Sequence, residues 1–182
     1  MEDDWLDLIS DDFKSLPEVK IKEDSKAREH VMRVLAVLFL KIWMRFALDT
    51  GRKMIMAPSS DELGLYTGKN NWTLSGGFNF AALSELAITD KLPREHSLRV
   101  EAYTVQGREH IRVAFSLEEE RVLGQSVLVT YVIYSALAKD FSIDEMIKNL
   151  KPGLGKWYMA LASGELSILW NYCRDKYELV GV

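Results

Sequence analysis

The alternation of apolar and polar positions is clearest over residues 98–115 and changes character directly after them. Residues 98–105 (LRVEAYTV) and 108–115 (REHIRVAF) are rich in strand formers and are separated by Gln106-Gly107. A two-residue loop there makes a β-hairpin and fixes its register. Leu98 then faces Phe115, Val100 faces Val113 and Ala102 faces Ile111, all on one side of the ribbon. The other side sets Arg99 opposite Ala114, Glu101 opposite Arg112 and Tyr103 opposite His110, which predicts a wet face with an opposite-charge pair. Gly107 accepts a positive φ, whereas Gln106 is not the Asn or Asp that a type I′ turn prefers.

Ser116-Leu117-Glu118-Glu119 has the spacing of a capping box, with Ser116 at the N-cap and Glu119 at N3. It predicts a helix through Val122, Leu123, Val127, Leu128, Tyr131, Val132, Tyr134 and Leu137. Residues 127–138 are apolar nearly all round, so such a helix must be covered on more than one side, by this chain or by a second copy.

Helical periodicity also marks residues 24–49. Asp24 or Ser25 can cap this stretch, Val31, Leu35, Leu38, Phe39, Ile42, Trp43 and Phe46 are among its apolar positions, and Gly51 suits the C′ position. Met54-Ile55-Met56 reads as a short strand closed by Pro58. Ser59-Ser60-Asp61-Glu62 opens a short helix that Gly64 and Gly68 keep short. Residues 69–77, with Asn70, Asn71, Ser75, Gly76 and Gly77, read as a loop. Asn79 caps a predicted helix to Asp90 that Pro93 prevents from continuing. Ser142-Ile143-Asp144-Glu145 is a further capping box, opening a helix to Lys151 that Pro152-Gly153 stops. A last helix spans residues 155–177, with Gly164 marking either a close contact or a break.

The fold class expected from this order is α+β: a helix-rich domain over residues 24–182 with a central β-hairpin and three long helices. Residues 1–23 stand apart from it. Residues 2–13 place Trp5, Leu8, Ile9 and Phe13 at helical spacing among Glu2, Asp3, Asp4, Asp7, Asp11 and Asp12, and Pro17 follows in a polar linker. That pattern is either an acidic amphipathic peptide for a partner's groove or a first helix packed on its own domain.

Composition narrows the classes of function. Hydrophobic content of 48% and charged content of 27% are those of a globular domain. The net charge of −4 excludes a generally basic surface for nucleic acid or acidic membranes, though not a local patch. A single cysteine, Cys173, allows no internal disulfide and fits a reducing compartment. The N-terminus is acidic and lacks a signal-peptide pattern, and no apolar run is long enough to span a bilayer. A cytoplasmic protein without membrane contact is expected.

Candidate chemistry is sparse. His30, His96 and His110 have no metal-binding spacing, and one cysteine cannot build a zinc site. Cys173 falls on an apolar helix, where a buried inert thiol is expected. Ser75-Gly76-Gly77 lacks the pattern of a phosphate-binding loop. No catalytic, cofactor or metal residue is assigned, and a non-enzyme is expected.

The succession of two short helices (residues 59–67 and 79–90), a hairpin and a long helix resembles the winged helix-turn-helix arrangement of MarR- or PadR-like regulators. The run from Gly107 to Glu118 is similar to a wing's return strand. The resemblance implies a dimeric DNA-binding transcriptional regulator. Lys69, Asn79, Ser84, Lys91, Arg94, Arg108 and Arg112 would meet duplex DNA, and the long terminal helices would form the subunit interface. The alternative from another class is a protein–protein adaptor or chaperone-like module that docks through Trp5, Leu8, Ile9 and Phe13.

Overall fold

The first element among the described residues is the helix that the 24–49 periodicity predicts. Helix α1 spans Asp24–Thr50, starts after Glu23 and ends at Gly51, which takes the left-handed conformation (φ 66°) and donates its N–H to the Ala47 carbonyl. Ala27, Val31, Leu35, Leu38, Phe39, Ile42 and Phe46 form its buried face. The computed structural model describes residues 23–51, 53–58, 72–83, 96–121, 125–165 and 167–177, with side chains at 23–51, 97–117, 129–165 and 167–177.

Five strands follow: β1 (Lys53–Pro58), β2 (Trp72–Leu83), β3 (His96–Val105), β4 (Arg108–Arg121) and β5 (Gln125–Leu137). They form one antiparallel meander in the order β1-β2-β3-β4-β5. A 3-10 turn (Ala138–Asp140) leads to α2 (Ile143–Ser163) and α3 (Ser167–Lys176). The fold is therefore α+β, with a central hairpin and three helices. Its core lies between the helices and one face of the sheet. Leu98, Val100, Ala102, Ile111, Val113, Phe115, Leu117, Val129 and Tyr131 meet the apolar faces of α1, α2 and α3 there.

The hairpin has the register that its turn length and alternation predict. Leu98 pairs with Phe115, Val100 with Val113, Ala102 with Ile111, Arg99 with Ala114, Glu101 with Arg112 and Tyr103 with His110. Gln106 and Gly107 both take positive φ (50° and 75°), as a type I′ turn requires.

Beyond Phe115 the expected helix gives way to strands. Ser116 caps nothing; it continues β4, and its hydroxyl shares a 3.1 Å hydrogen bond with Thr130 on β5. The physical reason lies in composition. Val127, Val129, Thr130, Val132 and Ile133 are β-branched, and Tyr131 and Tyr134 are aromatic, all types that suit a pleated sheet. A run that is apolar on both faces fits a strand buried on both sides as well as a buried helix. One irregularity accommodates the length of β5. Val113 pairs with Tyr134 and Ala114 with Val132, so Ile133 bulges out of register and is still buried.

Other expectations are corrected in the same way. The loop expected over residues 69–77 is strand from Trp72 onward, with a register shift between Leu74 and Gly76. The helix expected from Asn79 is strand through Leu83. Asn79 pairs with Ala57 on one side and Arg99 on the other, and two ladders outweigh one weak capping signal. The rest of that expected helix, and the short helix over residues 59–67, lie outside the described residues. Among the described residues the order of elements is a helix, five strands and two helices, with strand where the second expected short helix would begin. Pro152 does not end a helix either; it sits on the exposed side of α2, whose buried face (Met146, Ile147, Leu150, Leu154, Trp157) holds the helix together across it. The Ser142 cap is as expected, its hydroxyl accepting the Glu145 N–H at 3.2 Å. Gly164 (φ 77°) is the break between α2 and α3.

Candidate functional site

Two regions hold side chains that the core does not explain: the polar face of β3, β4 and β5, and the outward face of α1. The strand registers arrange the first in rows across the sheet. Ser97, Ser116 and Thr130 form a hydroxyl row; Arg99, Ala114 and Val132 form the next; Glu101, Arg112 and Ser135 the third. Tyr103 and His110 follow, stacked with ring centroids 5.3 Å apart.

This face is not wet, which corrects the expectation from alternation alone. Ser97, Arg99, Glu101, Tyr103, Arg112, Ala114, Ser116 and Thr130 are all buried. Burial makes the charges consequential. Arg112 Nε donates to Glu101 Oε2 at 2.6 Å, and its guanidinium lies 5.4 Å from the centre of the Tyr103 ring. Tyr103 Oη and Ser135 Oγ are 3.0 Å apart. Arg99 Nη1 lies 3.8 Å from Glu101 Oε1, close enough for attraction but too long for a hydrogen bond. Two guanidinium groups thus share one carboxylate. Among the described residues, Arg99 Nε, Arg99 Nη1 and Ser97 Oγ have no hydrogen-bond partner. Nothing in the chain's composition points to this cluster. The signal available is local: alternation sets Arg99, Glu101 and Arg112 on one face of the hairpin, beside the small side chains Ser97, Ala114 and Ser116.

The structure places the residues expected at a DNA interface in different settings. Arg108 is exposed beside the hairpin turn. Arg112 is buried and paired with Glu101, so it is withdrawn from any phosphate. Asn79 belongs to β2 rather than to a recognition helix. Lys69, Ser84, Lys91 and Arg94 lie outside the described residues, as do Trp5, Leu8, Ile9 and Phe13. The turn is also tied down: Glu109 accepts a 3.1 Å hydrogen bond from Arg28 of α1.

The second region lies on a long helix that the regulator resemblance assigns to a subunit interface, though the sequence pattern singles out none of its four residues. Val37, Leu40, Met44 and Leu48 of α1 are exposed at 50%, 40%, 51% and 79%. At about 100° per residue they fall within an arc of about 80°, on the side of α1 away from Leu35, Leu38, Phe39, Ile42 and Phe46. Arg33 and Arg45 beside the stripe are held by Glu29 and Asp49 one turn away. The second stripe is hidden in the sequence because residues 34–48 offer apolar positions on both sides of α1, and the core stripe accounts for the helical period by itself.

Among the described residues no group of three or more His, Cys, Asp or Glu side chains is placed to hold a metal ion. Cys173 is buried, and desolvation pushes its thiol up to about 12, far from a nucleophile's range. No described helix is long and apolar enough to cross a membrane. No protein family, curated protein or solved structure matches the chain.

Proposed function

We propose that this protein is a non-enzymatic binding protein that acts as a dimer, with the outward stripe of α1 as the contact between two copies. The observation that carries the reading is the alignment of Val37, Leu40, Met44 and Leu48 on one face of a rigid, well-anchored helix. Their spacing of three, four and four residues is the one by which helices pack against each other. Of the flanking charges, Arg33 and Arg45 are paired within the helix with Glu29 and Asp49, and the exposed Lys41 borders the stripe. The stripe is about 16 Å long, shorter than a standard interface requires, which argues for weak, concentration-dependent pairing.

A protein partner is favoured over duplex DNA as the wider role. Arg108 is the exposed member of the expected DNA set among the described side chains, and a single phosphate contact gives little affinity. The acidic residues 2–13 remain the segment suited to a protein partner. The test is co-purification of an untagged copy with a tagged one. Wild-type chains associate, Met44→Glu chains do not, and neither is retained by duplex DNA at low salt. Strong DNA retention that falls steeply with added salt and disappears in Arg108→Ala would overturn the preference for protein.

A further inference from the structure

We infer that residues 2–13 dock along the outward face of α1 in their own chain, where they compete with the second copy. The inference rests on the reading of that face as a pairing surface and names what regulates it. The exposed face does not begin at Val37. Lys26, His30 and Arg33 precede Val37, Leu40, Met44 and Leu48 at the same spacing of three and four, and all three are exposed. Lys41 and Arg45, also exposed, border the apolar half. Within α1 the exposed charges are thus Lys26, Arg33, Lys41 and Arg45 against Glu29 and Asp49, a surplus of positive charge. Arg33 pairs with Glu29 and Arg45 with Asp49, but exposed pairs of this kind hold little free energy, so their cations can turn to another carboxylate.

A second copy of α1 brings the same surplus, whereas residues 2–13 bring the opposite charge. They carry Glu2, Asp3, Asp4, Asp7, Asp11 and Asp12 with no Lys or Arg, and they set Trp5, Leu8, Ile9 and Phe13 at helical spacing. An apolar face bordered by acids suits an apolar stripe bordered by cations, as when an amphipathic helix lies in a groove. The lengths agree as well. Trp5 to Phe13 spans about 12 Å as a helix, against about 16 Å for the stripe. Residues 14–23 reach up to about 33 Å when extended, and Val37 stands about 20 Å along α1 from Asp24. The segment can therefore run back antiparallel to α1, with Phe13 towards Val37 and Trp5 towards Leu48. A tethered segment acts at an effective concentration on the order of mM, which keeps the pairing of two chains weak.

The experiment uses the full chain at a concentration where it is monomeric. A zero-length carbodiimide joins a carboxylate to a lysine amine only where the two touch. Mass analysis should find Lys41 joined to a carboxylate of residues 2–13 within single chains. The link should fall several-fold in Leu8→Ser with Ile9→Ser, which keeps every carboxylate in place. No link between these segments, or an equal link in that variant, overturns the inference. Sedimentation equilibrium of the same variant separates the inference from the pairing itself. Dimerisation several-fold tighter than that of the wild type supports the competition, and dimerisation equal to the wild type's overturns it while the pairing stands. If the link forms and neither chain dimerises, the pairing fails and the competition with it.

Discussion

Gly153 of α2 lies directly against the ring of Phe115 on β4. A β-carbon built on Gly153 would stand 2.6 Å from Phe115 Cε2 and 3.3 Å from Tyr172 Cε1. Carbon atoms settle at about 3.5–4.0 Å, so the close approach of helix to sheet depends on the missing side chain. Gly153→Ala improves helix propensity by about 1 kcal/mol but forces the Phe115 ring out of its place, at a cost of about 1–3 kcal/mol. Net destabilisation is expected in urea unfolding. A rise in the midpoint would show that the Phe115 ring moves freely.

Glu101 carries the buried charge cluster. Replacing it with Gln leaves Arg99 and Arg112 buried without their carboxylate, a change that costs about 3–5 kcal/mol where a buried pair loses one member. The paired replacement Glu101→Leu with Arg112→Met removes both members of the closer pair but leaves Arg99 buried without a carboxylate, so it should recover only part of that loss. Chemical denaturation of the single and double variants checks this. A single variant as stable as the wild type would mean that the face is hydrated.

The turn offers a gain. Gln106 holds φ at 50°, a conformation that Asn adopts more readily. Gln106→Asn should stabilise the fold by about 0.5 kcal/mol, within the range for substitutions that suit the native backbone. A lower melting temperature would contradict the turn type.

Cys173 gives a pH dependence with a defined sign. Burial raises its thiol from 9.0 to about 12, so the folded state holds the proton more tightly than the unfolded chain. The stability this contributes is fully present below pH 9.0 and is lost as pH rises towards about 12. Under native conditions near neutral pH, alkylation of Cys173 should be slow and should accelerate in denaturant. Rapid native labelling would show that the thiol is accessible.

These relationships differ in how far the chain discloses them. The hairpin register was legible because Gln106-Gly107 fixes the loop length and strand parity then assigns every pair. Helix α1 and the Ser142 cap were legible from period and capping chemistry. Strand β5 was not, because residues apolar on both faces have no period to read, and its β-branched content was the better guide. The capping box at Ser116 misled because it is a local signal, and the β-branched and aromatic residues of β5 that pair with this segment outweigh it. The polar face misled for a deeper reason: alternation reports which residues share a face, while burial of that face is decided by tertiary packing. The outward stripe of α1 was masked by the core stripe on the same helix.

The central claim, that α1 joins two copies through Val37, Leu40, Met44 and Leu48, is tested most directly by sedimentation equilibrium over a wide concentration range. The wild-type chain should shift from monomer towards dimer as concentration rises, and Met44→Glu, an exposed position that the fold tolerates, should remain monomeric with unchanged stability. A wild-type chain that stays monomeric at every concentration, or a Met44→Glu chain that dimerises as the wild type does, would contradict the claim.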